Sequence, residues 1–464
     1  MEPHHIPVTD EELDAFDRTI ARLRGMPLDD PARIRGERTA ARFVRESRNK
    51  RRRALRAEQS AADAALTART ATGALDRRED APLADAGRES PGTFLRTRHC
   101  YVCKTPYRQA DSFYHRLCPP CAADNTTRRA LTTDLTGRRV LLTGGRVKIG
   151  FQLALMMLRD GAELLVTSRF PHDTLRRFRA AEGSGRWMDR LTVVAIDLRD
   201  PRQVLGLCER LRADGRPLDI LVNNAAQTIR RPPESYALLA AGERGALPEG
   251  VIPAPGYGPG DARATAAAGL PALAGLPALA DLPALTGLDG PDGPDEAGLL
   301  PDPSPRNSWS VRLGDLDAVE LLEAQLVNAV APTLLCDRLL PLLLASPRPR
   351  RYIVNVSAVE GRFAVRNKTG GHPHTNMAKA ALNMLTRTSA AELAEQGVHM
   401  CSVDTGWITD ENPAPRKARI AAVGIRTPLD VVDGAARIYD PIVRGEAGEP
   451  QSGVFLKDYA VAEW

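Results

Sequence analysis

VLLTGGRVKIG, at residues 140–150, is the stretch that decides the fold. An apolar run leads into a glycine-rich loop, and the loop leads into a helical pattern. Glycine tolerates positive φ and lets a phosphate approach the backbone, while the N–H groups and positive dipole end of the following helix attract the phosphate charge. The stretch therefore predicts a strand, a nucleotide-binding loop and a helix.

Four more short apolar runs follow, with helical patterns between them. They are LLVTSR at 164–169, AIDL at 195–198, ILVNNAA at 220–226 and YIVNVS at 352–357. Strands that alternate with helices in this way are typical of a parallel sheet covered on both faces. The predicted fold class is α/β, a doubly wound, Rossmann-like parallel sheet.

Several polar residues stand at fixed places relative to these runs: the Thr143-Gly144 loop, Asp197, NNAA at 223–226, Asn328, Ser357 and Lys379. With these residues, the chain from 135 to 464 resembles the short-chain dehydrogenase/reductase family. The resemblance implies that Ser357 and Asn328 orient a substrate. It also implies that Lys379 holds the nicotinamide ribose and lowers the pKa of a neighbouring tyrosine that transfers the proton.

The chain departs from the family where that tyrosine is expected. Thr375 stands there, one helical turn before Lys379 on the same face. An aliphatic hydroxyl is too weak an acid to be tuned towards neutrality as a phenol can be. His372 and His374 precede it, and an imidazole titrates near physiological pH, so either is a candidate acid or base. The alternative is that both are polar loop residues. The predicted catalytic set is Asn328, Ser357, Thr375 and Lys379.

NADP(H) is the predicted cofactor. Lys148 takes the place of the middle glycine of the family's loop, as a basic residue does in pteridine-reductase-like members. The strand at 164–169 ends in Ser168-Arg169, and not in an acidic residue that would repel a 2′-phosphate. The alternative is that both cations are solvated surface residues. The predicted cofactor-binding residues are Thr143, Gly144, Arg146, Lys148, Ile149, Gly150, Ser168, Arg169, Asp197, Leu198, Asn224, Ala225 and Lys379.

A second set of residues lies upstream: Cys100 and Cys103, then Cys118 and Cys121. Two Cys-x-x-Cys turns at this spacing are typical of a tetrahedral zinc site. Four protein ligands leave no open coordination position, so the predicted zinc is structural. Two disulfides are the alternative, and they need an oxidising compartment. His115 is interpreted as a surface residue.

Composition limits the location and the partners. The N-terminus lacks the order of a secretory signal, and the sequence contains no run of about 18 apolar residues. A cytoplasmic protein without a membrane span is therefore expected. A net charge of +5 is too small to indicate nucleic acid by itself. The basic cluster at 45–53 is diluted by Glu46 and Glu58, so it is interpreted as a solvated helix face.

The chain is long enough for several parts. Residues 1–97 are charged and predicted to be a helical arm, 98–130 a zinc module, and 135–464 the nucleotide-binding domain. Within that domain, residues 231–310 lack a core pattern and repeat LPAL at 270, 276 and 282. Frequent proline and little to bury predict a loosely packed insertion.

These features together predict an NADP(H)-dependent oxidoreductase that acts on a carbonyl, alcohol or imine in a small molecule. The family resemblance implies a homo-oligomer. A second hypothesis is a catalytically silent NADP(H)-binding sensor or scaffold, since Thr375 replaces the tyrosine. A third is nucleic-acid binding through the zinc module and the basic arm, which would depend on salt.

Overall fold

The computed structural model describes residues 7–84, 87, 89–258, 294–365, 368–422 and 424–464. The chain divides into two compact units. One comprises the chain up to Leu66 together with Phe94–Thr97, and the other comprises Thr67–Thr93 and Arg98–Trp464. The predicted domain boundaries at 97, 130 and 135 do not coincide with the borders of these two units, and they stay predictions.

The first unit is built from two helices, α1 (Asp10–Arg24) and α2 (Pro31–Ala68). A capping box opens α1: the Thr9 side chain accepts from the Glu12 N–H at 3.3 Å, and Glu12 accepts from the Thr9 N–H at 2.8 Å. Near the end of α2, Asp63 accepts hydrogen bonds from the N–H groups of Leu95 and Arg96.

The second unit contains a nine-stranded sheet in the order β11-β10-β9-β8-β6-β3-β4-β5-β7. Every neighbouring pair is parallel except β10 and β11. The strands are β3 (Arg139–Leu142), β4 (Glu163–Ser168), β5 (Leu191–Ala195), β6 (Ile220–Asn223), β7 (Val251–Pro253), β8 (Arg351–Ser357), β9 (Val398–Asp404), β10 (Phe455–Lys457) and β11 (Ala460–Ala462).

Helices cover both faces of this sheet. Alternate residues of the strands point to opposite faces, so Val140 and Leu142 join one hydrophobic cluster and Leu141 joins the other. The first cluster includes residues of α4 (Lys148–Arg159), α5 (Pro171–Ala180) and α12 (Val431–Glu446); the second includes residues of α6 (Pro201–Asp214), α9 (Ala331–Leu344) and α10 (Pro373–Glu395). The prediction of a doubly wound parallel sheet is confirmed.

The predicted insertion at 231–310 contributes to the core, which differs from the expectation. After α7 (Ala237–Gly242), strand β7 pairs with β5 at the edge of the sheet, and the buried Ala254 donates its N–H to the carbonyl of Ala195 at 2.9 Å. Three residues are too few to show a strand pattern in the sequence. The LPAL repeats lie outside the described residues.

The predicted zinc module contains a hairpin and one helix. Strands β1 (Thr93–His99) and β2 (Pro106–Gln109) are antiparallel, with Arg98 opposite Tyr107, and α3 (Pro119–Arg129) follows. The Tyr114 hydroxyl donates to Asp433 of α12 at 2.6 Å, and the module therefore packs on a helix that covers the sheet.

One long helical segment, from Ala318 to Leu344, joins α8 (Ala318–Gln325) to α9 through a π-helical turn at Leu326–Val330. By length and mean hydropathy, 1.4, it is the one described helix that could span a membrane. In its most apolar stretch of 18 residues, 56% is buried inside the protein, and a helix in a protein core can be equally long and apolar. The expectation of no membrane span stays a prediction. The remaining described helix is α11 (Ala414–Ala422).

Candidate functional site

The glycine-rich loop between β3 and α4 is the centre of the predicted nucleotide site. Gly144 has a φ of 71°, and a Cβ there would lie 2.9 Å from Ala225 Cα. A Cβ at Gly150 would lie 2.1 Å from the Gly144 carbonyl oxygen. Both positions therefore require glycine. The loop ends at the N-terminus of α4, and this end of a helix attracts phosphate.

Thr143 and Asn224 fasten this loop to the end of β6. The Thr143 hydroxyl accepts hydrogen bonds from the N–H groups of Asn224 and Ala225, both at 2.9 Å. The Asn224 amide donates to the carbonyls of Thr143 and Gly144 at 2.9 and 3.0 Å. The structure thus brings these four residues of the predicted set together.

The two basic residues of the loop have acidic neighbours. Arg146 binds Asp173 at 2.7 Å, so the contact predicted with the cofactor would have to replace or extend an existing ion pair. Lys148 begins α4 with a φ of 54°, in the region that favours glycine. Partial burial raises the pKa of Glu411, but Lys148 and a hydrogen bond from Thr409 bring it below its ordinary value.

Ser168 and Arg169 follow β4 as predicted, with different surroundings. The Ser168 hydroxyl accepts from the Phe170 N–H at 3.0 Å and from the Thr174 hydroxyl at 2.7 Å. The Arg169 guanidinium lies 5.5 Å from the ring centroids of both Phe170 and Tyr236. No carboxylate in the described ranges pairs with Arg169, so its charge is available to an anionic ligand.

Asp197 already has a strong partner. Its carboxylate binds the Arg199 guanidinium at 2.5 Å, and Arg199 also lies 3.3 Å from Glu323 of α8. A cofactor contact at Asp197 would therefore share this carboxylate with Arg199. The Leu198 and Ile149 side chains are not polar, and Ile149 packs against the core, so these residues offer a cofactor apolar surface and backbone groups.

A cavity of about 380 Å³ lies beside Arg169 and Arg199. Its walls come from the ends of β4 and β5, the loop after β6 and helix α8. The charged lining residues are Arg169, Arg199, Arg230, Arg231, Arg306, Asp302, Glu320 and Glu323. Positive groups outnumber negative ones, and guanidinium groups match the geometry of phosphate oxygens. Four of these arginines already pair with carboxylates: Arg199 with Asp197 and Glu323, Arg230 with Glu323, Arg231 with Asp295, and Arg306 with Asp315. Among the described residues, Arg169 is therefore the lining charge that is available to a phosphate.

Asn328 lies in the π-helical turn and is fully buried. Its side chain accepts from the Gln227 N–H at 2.7 Å and donates to the Gln227 carbonyl at 2.9 Å. The asparagine thus ties the long helix to the loop that follows β6. Gln227 was missed from the sequence, and its only signal is its place directly after the NNAA motif.

Ser357 and Lys379 both form hydrogen bonds near the end of β8. The Ser357 hydroxyl donates to Asn383 Oδ1 at 2.6 Å, and Lys379 Nζ donates to the carbonyl of Val356 at 2.8 Å. Burial lowers the pKa of Lys379 to about 8. Asn383, one turn after Lys379 in α10, was also missed, although its spacing of four from Lys379 puts it on the same helix face.

Thr375 is 3% exposed, and its hydroxyl has no hydrogen-bond partner among the described residues. Lys379 follows it by one helical turn. Most buried hydroxyls are hydrogen-bonded, so an unpaired one indicates a place for a ligand or a water molecule. The structure therefore leaves a buried, unpaired hydroxyl one helical turn before Lys379.

The two histidines before Thr375 both have packing partners. The His372 ring stacks on Trp309 with 3.8 Å between centroids, and burial lowers its pKa. His374 is 1% exposed, and its Nε2 lies 3.4 Å from Glu320 Oε1. The alternative that both are polar loop residues is wrong, because His372 caps α10, His374 lies in its first turn, and both are buried. A role in proton transfer stays a prediction.

Cys100, Cys103, Cys118 and Cys121 form one cluster, in which all four sulfur atoms lie within 4.8 Å of one another. Sulfur atoms around a tetrahedral zinc with bonds of about 2.3 Å lie about 3.8 Å apart. The Cys103 and Cys118 sulfurs are 3.6 Å apart, so the cluster fits zinc.

The interpretation of His115 as a surface residue is wrong. It is 2% exposed, and its Nδ1 lies 2.7 Å from the Thr72 hydroxyl. The partner comes from a turn 43 residues earlier, and no sequence pattern links the two.

Comparison with protein families finds two matches. Residues 138–239 match the family model described as short chain dehydrogenase, and residues 305–429 match the one described as Enoyl-(Acyl carrier protein) reductase. The matches include both ends of the predicted insertion, 231–239 and 305–310, and contain most of the nucleotide-site residues described above.

Three curated relatives illustrate the range of similarity. Uncharacterized protein R665 of Acanthamoeba polyphaga mimivirus is 28% identical over 374 residues, 74% of this chain and 71% of the relative. The C-signal protein of Myxococcus xanthus is 30% identical over 122 residues, 26% of this chain and 72% of the relative. A probable oxidoreductase of Streptomyces antibioticus is 39% identical over 95 residues, 20% of this chain and 30% of the relative.

Two solved structures are also similar. A short chain dehydrogenase from Burkholderia cenocepacia J2315 in complex with NADP is 22% identical, with a TM-score of 0.44, over 70% of this chain and 97% of that one. Carbonyl reductase Sniffer of D. melanogaster is 19% identical, with a TM-score of 0.44, over 71% of this chain and 100% of that one.

Proposed function

Because this chain belongs to the short-chain dehydrogenase family, we propose that it is an NADP(H)-dependent oxidoreductase acting on a carbonyl, alcohol or imine in a small molecule. The observation that carries this proposal is the arrangement around Lys379. Its ammonium group contacts the backbone beside Ser357, and the unpaired hydroxyl of Thr375 lies one helical turn away. When bound, the cofactor supplies or accepts the hydride.

We assign each side chain a task that its contacts permit. Lys379 holds the nicotinamide ribose, and Ser357, Thr375 and Asn328 orient the substrate directly or through water. Thr375 donates a hydrogen bond and no proton, because its pKa lies far above neutrality. The proton then comes from a histidine, an ordered water or the substrate.

The preference for NADP(H) over NAD(H) rests on Arg169. This residue follows β4, lines the cavity of about 380 Å³ with Arg199, and lacks a carboxylate partner in the described ranges. We assign the 2′-phosphate to Arg169. Lys148, at the N-terminus of α4 and close to Glu411, is assigned to the other phosphates.

A catalytically silent NADP(H) sensor or scaffold is the second candidate, and the identity of residue 375 favours it. Titration of the full chain with NADPH and with NADH, followed by a screen of ketones, aldehydes and imines, separates the two. NADPH binding with turnover supports the reductase. Tight binding without turnover of any compound supports the silent protein, and the absence of nucleotide binding contradicts both.

We also propose one structural zinc ion per chain on Cys100, Cys103, Cys118 and Cys121. Four thiolates complete a tetrahedral shell, so this ion has no position for a substrate or water. Metal analysis of protein purified under reducing conditions tests the site. A zinc content far below one per chain would exclude it.

A further inference from the structure

The four-cysteine cluster contacts the loop after β9, residues 405–412, which we call the β9 loop. Tyr101 lies between Cys100 and Cys103, and its hydroxyl accepts a hydrogen bond from the Trp407 N–H at 3.0 Å. The Arg116 guanidinium, two residues before Cys118, lies 5.6 Å from the Trp407 ring centroid. Tyr101 and Arg116, which lie close in sequence to Cys100 and Cys118, therefore both contact Trp407.

The backbone around Cys100 fixes the position of Tyr101. The Cys100 N–H donates to the Thr105 carbonyl at 3.0 Å, the Lys104 N–H donates to the Cys100 carbonyl at 3.1 Å, and the Tyr101 N–H donates to the Arg116 carbonyl at 2.8 Å. These bonds close a tight turn around two sulfur atoms. A metal ion bound by both sulfurs would hold this turn, because small segments depend on such ions for their structure.

The far end of the β9 loop approaches the phosphate-binding loop. Ile408 of the β9 loop and Ile149 of α4 both lie against Gly434 of α12, where an added Cβ would be 2.4 Å from Ile408 Cδ1 and 3.0 Å from Ile149 Cδ1. The charge of Lys148, which begins α4, also helps to lower the pKa of Glu411. Asn307 donates a hydrogen bond to the Glu411 carbonyl at 2.9 Å, and the Asp410 N–H donates to Glu79 at 2.9 Å. The loop thus extends from Tyr101 at one end to the charged neighbours of Lys148 at the other.

We propose that metal bound at the four cysteines positions the β9 loop through Tyr101, and so controls the order of a segment beside the nucleotide site. Tyr101 is then a positioning residue, and no substrate contact is assigned to it. This inference rests on the zinc binding proposed above. The physical link is a series of direct contacts from the turn that carries Cys100 and Cys103, through Tyr101, to Trp407 and along the β9 loop.

Hydrogen exchange followed by mass spectrometry on the full chain tests this proposal. Zinc-loaded protein is compared with protein after chelation, and with the Tyr101→Phe variant loaded with zinc. Loss of one hydrogen bond corresponds to about 2- to 12-fold faster exchange, and we expect this change for peptides covering 405–412 in Tyr101→Phe. Chelation should accelerate the same peptides at least as much, and restored zinc should reverse the change.

Tyr107→Phe is the matched control. Its hydroxyl donates to the His115 carbonyl at 2.9 Å inside the same module, so this variant loses one hydrogen bond without touching Trp407. It should bind zinc and leave exchange at 405–412 unchanged. The inference is overturned if the protein binds one zinc per chain but neither chelation nor Tyr101→Phe changes exchange in the β9 loop. That result would leave the proposed zinc site intact. Failure to bind zinc overturns both.

Discussion

The hydroxyl of Thr375 and the ammonium group of Lys379 lie one helical turn apart in α10, and both are shielded from water. They respond to pH differently. An aliphatic hydroxyl keeps its proton across the accessible range, whereas an ammonium group whose pKa is about 8 titrates just above neutrality. Of this pair, Lys379 therefore sets the pH dependence of the site, and Thr375 sets its shape and hydrogen bonding.

Thr375→Tyr restores the acid that the family resemblance implies. If the protein is a weakened reductase, this variant should reduce carbonyl compounds much faster, since general acid catalysis typically contributes about 10²–10⁴-fold. Thr375→Val should cost one hydrogen bond, about 0.5–1.5 kcal/mol in kcat/KM. Steady-state kinetics with NADPH measure both. Complete loss of activity in Thr375→Val would show that the hydroxyl has a larger role.

Lys379 should make a contribution to the free energy of unfolding that rises with pH. Its pKa is lowered to about 8 in the folded state, so the unfolded chain binds more protons between about pH 8 and the ordinary lysine value of about 10.4. The gain is at most about 3 kcal/mol across that window, and none of it is present below pH 8. Urea unfolding at pH 7.5 and 10 should show a larger increase for the unaltered protein than for Lys379→Met. Equal increases would contradict the shift.

Arg169→Asp should reverse the preference for NADPH. The substitution removes a charge-assisted hydrogen bond worth about 1.5–3 kcal/mol and adds a repulsive carboxylate, so NADPH binding should weaken at least about tenfold. Arg179→Asp, at an exposed position of α5, controls for the change in net charge. Cofactor titrations measure both. Equal affinities of the unaltered protein for the two cofactors would exclude the assignment.

The clustering of motif residues could be predicted from the sequence, and their hydrogen-bond partners could not. Thr143, Gly144 and Asn224 belong to recognisable loops, and the structure brings them together. Gln227 and Asn383 act through hydrogen bonds to residues that are respectively 101 and 26 positions away. Such contacts depend on how the elements pack, and no local propensity or periodicity records them.

At the scale of elements, strand β7 extends the sheet beyond β5. It comes from the segment that was expected to be loosely packed, and it gives β5 a partner on its outer side. The buried Ala254 follows it and belongs to the cluster that α6 and α9 share. The segment from Val251 to Ala254 is therefore part of the folded core.

Ala254→Asp should lower the free energy of unfolding by about 2–4 kcal/mol, because it buries a carboxylate without a partner. Ala246→Asp, at an exposed position of the same segment, should change it by less than about 0.5 kcal/mol. Replacement of residues 262–288 by a Gly/Ser linker of equal length should also have little effect, because their composition offers little to bury. Urea unfolding measures all three. A neutral Ala254→Asp would show that β7 does not contribute to stability.

Strands within most of the apolar runs were predictable, but the run at 195–198 was placed wrongly, because β5 spans Leu191–Ala195 and residues 196–198 follow it outside the strand. The runs that became β3, β4, β6 and β8 are apolar and bounded by glycine or polar residues. The π-helical turn around Asn328 has no such signature, since its residues also suit an α-helix. Within it, the Asn328 side chain bonds to Gln227 in a loop 101 residues earlier, a contact that no local pattern records.

At the scale of the whole second unit, the four-cysteine module joins the nucleotide-binding fold through buried charges. Arg129 binds Asp430 at 2.5 Å and lies 3.2 Å from Asp433, and both carboxylates are fully buried. Asp433 also accepts a hydrogen bond from Tyr114. The module is therefore attached by buried ion pairs, and removing one partner of such a pair lowers the free energy of unfolding strongly.

Arg129→Met should destabilise the protein by about 3–5 kcal/mol, because it leaves two buried carboxylates without their counter-charge. Arg52→Met, at an exposed position of α2, should have little effect. Thermal and urea unfolding followed by circular dichroism measure the difference. An Arg129→Met variant as stable as the unaltered protein would show that water reaches this ion pair.

The hydrogen bond between Tyr114 and Asp433 joins residues 319 positions apart, which has a consequence for biosynthesis. A ribosome that adds about 5–20 residues per second needs roughly 16–64 s to make that length of chain. During this time the cysteine segment has left the ribosome, but the helix on which it rests has not been made. The nascent segment therefore spends that interval without the Asp433 contact, and its docking has to wait until α12 is made.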